Sequence, residues 1–188
     1  MSRMVLVVAA VVVATCVTTA SVAGENAEDM LRAFSAIDWD SREVGQDKDL
    51  ADTAWQTRMR IERGLISLGA EAVPALVEAC ESSDRHVRLL AAYALGYLND
   101  AAAVAPLIRV AGQDDYAAAR LMAVEALGRL GAREAEVVVA AAAEDTNRYI
   151  REAAAWALPR TISGEGVGDS LRGWRSKPGT TYPWQLPR

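Results

Sequence analysis

Four stretches of the chain can be laid over one another: RIERGLISLG, LLAAYALGYL, LMAVEALGRL and EAAAWALPRT. Their anchoring leucines, Leu65, Leu95, Leu127 and Leu158, stand 30, 32 and 31 residues apart. A fixed period of this length marks an array, in which a unit too small to bury its own apolar face must stack on its neighbours. Small apolar residues precede the last three anchors at helical spacing, as Ala91 and Ala94, Ala123 and Ala126, and Ala154 and Ala157. An arginine stands seven residues before every anchor: Arg58, Arg88, Arg120 and Arg151.

Shorter apolar stretches, AVPALVEAC, AVAPLIRVAG and EVVVAAAAED, lie between these helices. Pro74 and Pro106 open the first two, where a missing N–H costs a helix little. Polar breaks follow at 82–84, 113–115 and 145–147, and Gly69 and Gly131 sit where two of the longer helices should close. The unit is helix, turn, helix. With 37 alanines among 188 residues and only 6% aromatics, the composition also favours close-packed helices over a sheet. The predicted fold is all-α, an α-solenoid of stacked helix-turn-helix repeats.

The run Asp84, Val87, Arg88, Ala91, Ala92, Leu95 and Gly96 resembles the HEAT repeat. Together with the entry Val73, Pro74, Leu76 and the short period, it is most similar to the HEAT-like repeats named after phycobilisome lyases. The resemblance covers about residues 55–159. It implies a ladder of repeated Asp and Arg between neighbouring turns, and hence structural work for Arg58, Arg88, Arg120 and Arg151. Two positions depart from the pattern: Ala119 replaces the usual Val, and Pro159 replaces Gly and should end or kink its helix.

The flanks differ in kind. Residues 1–23 carry one arginine, Arg3, before an uncharged Val/Leu/Ala run that closes on small residues, which is the layout of a secretory signal peptide. The expected address is secreted or periplasmic, with no stable membrane insertion after cleavage; an uncleaved single-span anchor is the alternative. Thr15 directly before Cys16 argues against a lipidation site. Residues 24–54 should form a cap, with a helix over 26–37 followed by a polar loop reaching Trp55. The repeats fill 55–160. Residues 161–188, with five glycines and three prolines, should be irregular apart from one helical turn at 169–174. Trp174, Tyr182 and Trp184 in that tail either dock on the open end of the solenoid or hold a partner.

Charge and inventory exclude several functions. The formal net charge is −5, and loss of Arg3 with a signal peptide would make it −6 (19 bases against 25 acids). An acidic chain lacks the footprint of a nucleic-acid binder. Two cysteines and one histidine cannot build a multi-cysteine zinc site. Cys80 reads as a buried structural thiol, and His86, beside Arg85 and Arg88, as a polar residue at a helix start rather than a catalytic base. Gly164, Gly166 and Gly168 form a Gly-x-Gly-x-Gly that follows no strand, a poor phosphate cradle. No cofactor, metal or catalytic set is implied.

The candidate site is a ridge. Superposing the longer helices brings Arg63, Tyr93, Glu125 and Trp156 to one repeat position, and Ser67, Tyr97, Arg129 and Arg160 to the position four residues on. Aromatics and arginines dominate binding hot spots, so the partner-binding candidates are Arg63, Tyr93, Tyr97, Glu125, Arg129, Trp156 and Arg160. Tyr93 and Trp156 could equally fill gaps left by the alanines. The leading expectation is an exported, non-enzymatic scaffold or adaptor that binds a protein or peptide. The resemblance implies the alternative of bilin attachment to a cysteine, against which export and the missing catalytic set both speak. A structural subunit of an envelope complex is the third reading.

Overall fold

The computed structural model describes residues 26–41 and 48–167, so the signal-peptide reading of 1–23 and the helical turn and aromatics predicted beyond 167 lie outside the described residues. Among the described residues there are eight α-helices and no strand. They are α1 (Ala27–Ser35), α2 (Lys48–Ser67), α3 (Val73–Ala79), α4 (Arg85–Leu98), α5 (Val104–Gln113), α6 (Ala117–Leu130), α7 (Glu136–Ala142) and α8 (Arg148–Ser163). Single turns of 3-10 helix lead into α3, α5 and α7. The fold is all-α and solenoidal, and the chain divides into two compact units, Met1–Ala75 and Leu76–Arg188.

In the first unit α1 packs on α2. Asn26 caps α1 by accepting the Asp29 N–H at 2.9 Å, and Met30 and Phe34 turn inward. The Trp39 ring closes over Phe34, with centroids 4.6 Å apart, and its indole N–H donates to the Phe34 carbonyl. The polar loop expected to reach Trp55 stops earlier, because α2 begins at Lys48. Ala54, Thr57, Arg58, Ile61, Glu62 and Leu65 form a buried stripe at helical spacing. That stripe draws the polar residues before Trp55 into the helix.

In the second unit, α4, α6 and α8 form one layer, with α6 packed between the other two. Helices α5 and α7 pack together in the other layer, α5 on α6 and α7 on α8. The layer of α4, α6 and α8 is drawn tight by small residues. Ala91, Ala94, Ala123, Ala154 and Ala157 are completely buried and Ala126 nearly so. A Cβ on Gly96 would lie 2.8 Å from the Cβ of Ala126, and one on Gly128 would lie 2.6 Å from that of Ala157. Neighbouring backbones therefore touch at these two glycines.

The polar turns repeat one design. Asp84 and Asn147 cap α4 and α8, accepting the N–H of His86 and Tyr149. Three residues before each of α4, α6 and α8 begins, a side-chain oxygen folds the turn: Ser82 accepts the Asp84 N–H, Asp114 that of Tyr116, and Asp145 that of Asn147. The ladder arginines grip the same turns. Arg88, Arg120 and Arg151 each donate from Nη1 to the carbonyl six residues back, that of Ser82, Asp114 and Asp145, at 2.9, 2.9 and 2.8 Å.

Two of these arginines also reach forward one repeat. Arg88 makes a two-pronged contact with Asp114, at 2.6 and 2.9 Å, and a third bond to Asp115 at 2.6 Å. Arg120 contacts Asp145 at 3.2 Å. Burial would raise the Asp114 carboxyl, but the hydrogen bonds from Arg88 and the Tyr116 N–H outweigh it and hold the group below its usual range. Asp145 is lowered in the same way: burial again acts to raise it, and the Asn147 N–H and Arg120 overcome it. Arg58 is different, pairing with Glu62 of its own helix at 2.7 Å with both side chains buried. In repeat register the turn acid is then Ser82, which carries no charge.

Pro159 stands inside α8 and does not end it; the helix runs to Ser163 and closes on Gly164 in the left-handed region. The ring removes one N–H donor, yet the last turn is anchored from outside. Thr161 is fully buried, and Arg133 donates to the Ser163 carbonyl at 2.7 Å. The irregular segment thus starts later than residue 161. Its first residues pack against the end of α6, where the Val167 N–H donates to the Arg129 carbonyl at 2.7 Å.

The forward ion pair is largely buried, with side-chain exposures of 16% for Arg88 and 3% for Asp114, whereas Arg109–Glu81 is exposed at 50% and 69%. Breaking a shielded, two-pronged pair costs far more than breaking an exposed one. Arg88→Ala is expected to lower the free energy of unfolding by about 2–3 kcal/mol and Arg109→Ala by about 0–0.5 kcal/mol. Urea unfolding of both, with a double-mutant cycle against Asp114→Asn, checks this; equal losses for the two arginines would contradict it.

Candidate functional site

The ridge residues of the second unit come together in two stacked groups. Tyr93 and Tyr97, one turn apart on α4, tilt against each other with ring centroids 4.9 Å apart. The Arg129 guanidinium of α6 lies over the Tyr97 ring, 4.3 Å from its centroid. On α8 the Arg160 guanidinium lies 4.2 Å above the Trp156 ring, and its Nη1 donates to the Trp156 carbonyl at 2.7 Å. The indole edge of Trp156 leans over Gly128, where any side chain would meet it at 2.8 Å. Glycine at 128 therefore serves two purposes, letting α8 approach and giving the Trp156 ring a floor.

All of these side chains except Glu125 are partly exposed. Glu125 is buried, with only 7% of its surface exposed. Burial pushes its carboxyl up to about 8, against a weaker downward pull from Arg129 one turn on. Protonation of Glu125 is therefore favoured well above the usual carboxylate range. Sequence reasoning placed Glu125 among surface charges because its register is that of Tyr93 and Trp156. It missed that small residues bring the helices close enough to shut a side chain at this position away from water.

Arg63 and Ser67, the first members of the two ridge positions, are exposed on α2 in the other unit. Arg63 lines an open cleft of ≈ 630 Å³ together with Trp55, Met59 and Arg60. The Nη2 of Arg60 is buried there and has no hydrogen-bond partner among the described residues. Neither Trp55, which is 41% exposed, nor Arg60 was a sequence candidate for a site.

The remaining sequence candidates have structural surroundings. The His86 and Tyr116 rings meet edge to face with centroids 5.4 Å apart, and the Arg85 guanidinium lies over the Tyr116 ring, 4.9 Å from its centroid. Cys80 is buried and its thiol is pushed up to about 12, mainly by burial; so poor a thiolate former is a weak nucleophile. Gly164 is the αL cap of α8, and Gly166 lies against the carbonyls of Arg129 and Leu130. Carbonyl oxygens repel a phosphate, so this stretch is not an anion cradle; Gly168 lies outside the described residues. Among the described residues, no group of three or more His, Cys, Asp or Glu side chains could hold a metal ion. Among the same residues, no helix is long and apolar enough to cross a membrane.

The raised Glu125 carboxyl makes stability depend on pH. Its folded value, about 8, lies above the unfolded value of 4.5. The stability tied to the neutral form is therefore fully present below about pH 4.5, and is lost as pH rises through about 8. At about 1.4 kcal/mol per pKa unit, wild type should lose about 2–4 kcal/mol more than Glu125→Gln between pH 5 and pH 9. Urea unfolding at the two pH values reads this directly; parallel losses in the two proteins would contradict it.

The family model for HEAT repeats matches the chain twice, over residues 48–127 and 111–179. No curated protein matches it. The first match begins where α2 begins, not at Trp55, and together the two span every helical pair of the layered unit. HEAT repeats generally serve as protein-interaction scaffolds and are typically non-enzymatic. Paired helices, a repeated arginine-gripped turn and matches that run together from residue 48 to residue 179 make this chain a member of the HEAT-repeat family.

Proposed function

We propose that the protein is an exported scaffold that binds a protein or peptide segment across the ridge of α4, α6 and α8. The observation that carries this reading is the distribution of bulk. The interfaces of the layer are rich in Ala, Gly and Leu, while five larger amphipathic side chains, Tyr93, Tyr97, Arg129, Trp156 and Arg160, lie in one row and remain partly exposed. Residues of these types are the ones that concentrate binding energy in small areas. Each also lies against a ring, a guanidinium or a backbone carbonyl, so less conformational freedom is left to lose on association. Export rests on the signal-peptide layout of residues 1–23.

The test is affinity capture from the source cell's envelope fraction with the tagged protein, beside Tyr97→Ala/Trp156→Ala and with circular dichroism to establish that both are folded. A partner retained by wild type and reduced about tenfold or more by the double variant is expected, since two hot-spot truncations each cost upward of about 1 kcal/mol. A partner held equally by both would contradict the ridge reading. Amino-terminal sequencing of the same preparation should begin near Gly24; a start at the initiator methionine would contradict export by cleavage.

A further inference from the structure

Helix α2 carries an open cleft of ≈ 630 Å³, within the size range of small-molecule sites. Two rows of side chains at four-residue spacing line it: Trp55, Met59, Arg63 and Ser67 in one, Gln56 and Arg60 in the other. The cleft is divided along the helix. Its apolar bulk, Trp55 and Met59, lies toward the start of α2, and the two guanidinium groups follow.

The same helix shows how an arginine is satisfied. Arg58 pairs with Glu62 one turn on at 2.7 Å, with both side chains buried. Arg60 and Arg63 have no acid three or four residues away along α2. No acid stands among the described residues that line the cleft either. The Nη2 of Arg60 is buried and has no hydrogen-bond partner among the described residues. Leaving a buried donor of a charged group unmet is costly. A carboxylate removes that cost well, because its two oxygens match the planar fork of a guanidinium. Ser67 is not a further donor for it: its hydroxyl already donates to the Gly64 carbonyl at 2.8 Å.

The geometry points to a small aromatic carboxylate as a ligand of this cleft. Its carboxylate lies on Arg60, with the exposed Arg63 one turn on as a second cation, and its ring lies against Trp55 and Met59. This goes beyond the scaffold reading and does not depend on it. Both halves of the ligand are needed. A bare anion would meet Arg60 but leave Trp55 and Met59 uncovered. A neutral ring would cover those two and leave the buried N–H unmatched. Trp55 and Met59 suit a ring in particular, since indole stacks on aromatic faces and a thioether makes favourable contacts with ring edges.

The experiment is isothermal titration calorimetry of the full chain with 2-naphthoate, beside 2-naphthamide, which keeps the ring without the charge, and acetate, which keeps the charge without the ring. Saturable binding of naphthoate, weakened by added salt, is expected, with the other two at least tenfold weaker. Arg60→Gln and Trp55→Ala should each weaken naphthoate about tenfold, and Arg60→Lys should recover only part of the loss. Arg63→Gln should weaken it about threefold; because Arg63 is exposed, that variant reads the site even where a change at Arg60 disturbs folding, which circular dichroism reports. Tyr97→Ala/Trp156→Ala and Arg109→Gln should bind as wild type does. Naphthamide or acetate bound as tightly as naphthoate would overturn the inference. So would unchanged affinity in folded Arg60→Gln and Arg63→Gln, loss of binding in Tyr97→Ala/Trp156→Ala, or no binding of naphthoate at all. The envelope capture decides the scaffold reading separately in every case.

Discussion

The layer of α4, α6 and α8 exists because two glycines let backbones touch. At Gly96 and Gly128 the neighbouring helix supplies Ala126 and Ala157, and no side chain fits between. The arrangement of the ridge follows from that closeness. A row of larger residues would hold the helices further apart, so that Arg129 could no longer lean over Tyr97 and the Trp156 ring would lose the flat backbone on which it rests. Close packing also removes Glu125 from water. Dispersion contacts at such interfaces are individually small, but an interior packed as densely as a crystal has no slack to absorb an extra methyl group.

Tight helix interfaces fix separation but leave each pair free to slide or swing, and the polar turns remove that freedom. One arginine grips its own turn through a carbonyl six residues back and, in two of the three cases, holds the acid of the following turn as well. The acid has a second task, folding the turn that starts the next helix. A single side chain therefore ties turn shape, helix start and repeat-to-repeat register together. The acids keep their charge to low pH because these bonds outweigh the cost of burial. The partly exposed aromatic and arginine side chains are then presented at fixed repeat positions, as the proposed site for an extended partner requires.

The repeated arginine and the alanine spacing were enough to read the helical pairs and the family, because both follow from a constraint that every copy must obey. The ladder arginines were legible too, but their acids were not assigned: Asp114 and Asp145 lie 26 and 25 residues after Arg88 and Arg120, a spacing longer than any local motif. The start of α2 was hidden by polar residues that the helix carries on its outer side. Pro159 misled because its cost is local, whereas the anchors that keep α8 intact, Thr161 and the Arg133 contact, come from tertiary structure. Register placed Tyr93, Tyr97, Arg129, Trp156 and Arg160 on one ridge, but which guanidinium covers which ring depends on side-chain lean between helices. Periodicity says nothing about that.

Thermal unfolding of Gly128→Ala tests the dependence on close approach most directly. Alanine has the better helix propensity by about 1 kcal/mol, so an ordinary helical glycine would be stabilised by the change. Here the added methyl would meet Ala157 at 2.6 Å and Trp156 at 2.8 Å, and forcing such helices apart costs about 1–3 kcal/mol beyond that gain. The account predicts a lower Tm and a loss of the tryptophan near-ultraviolet signal as Trp156 is displaced. A Tm raised or unchanged, with that signal intact, would contradict it.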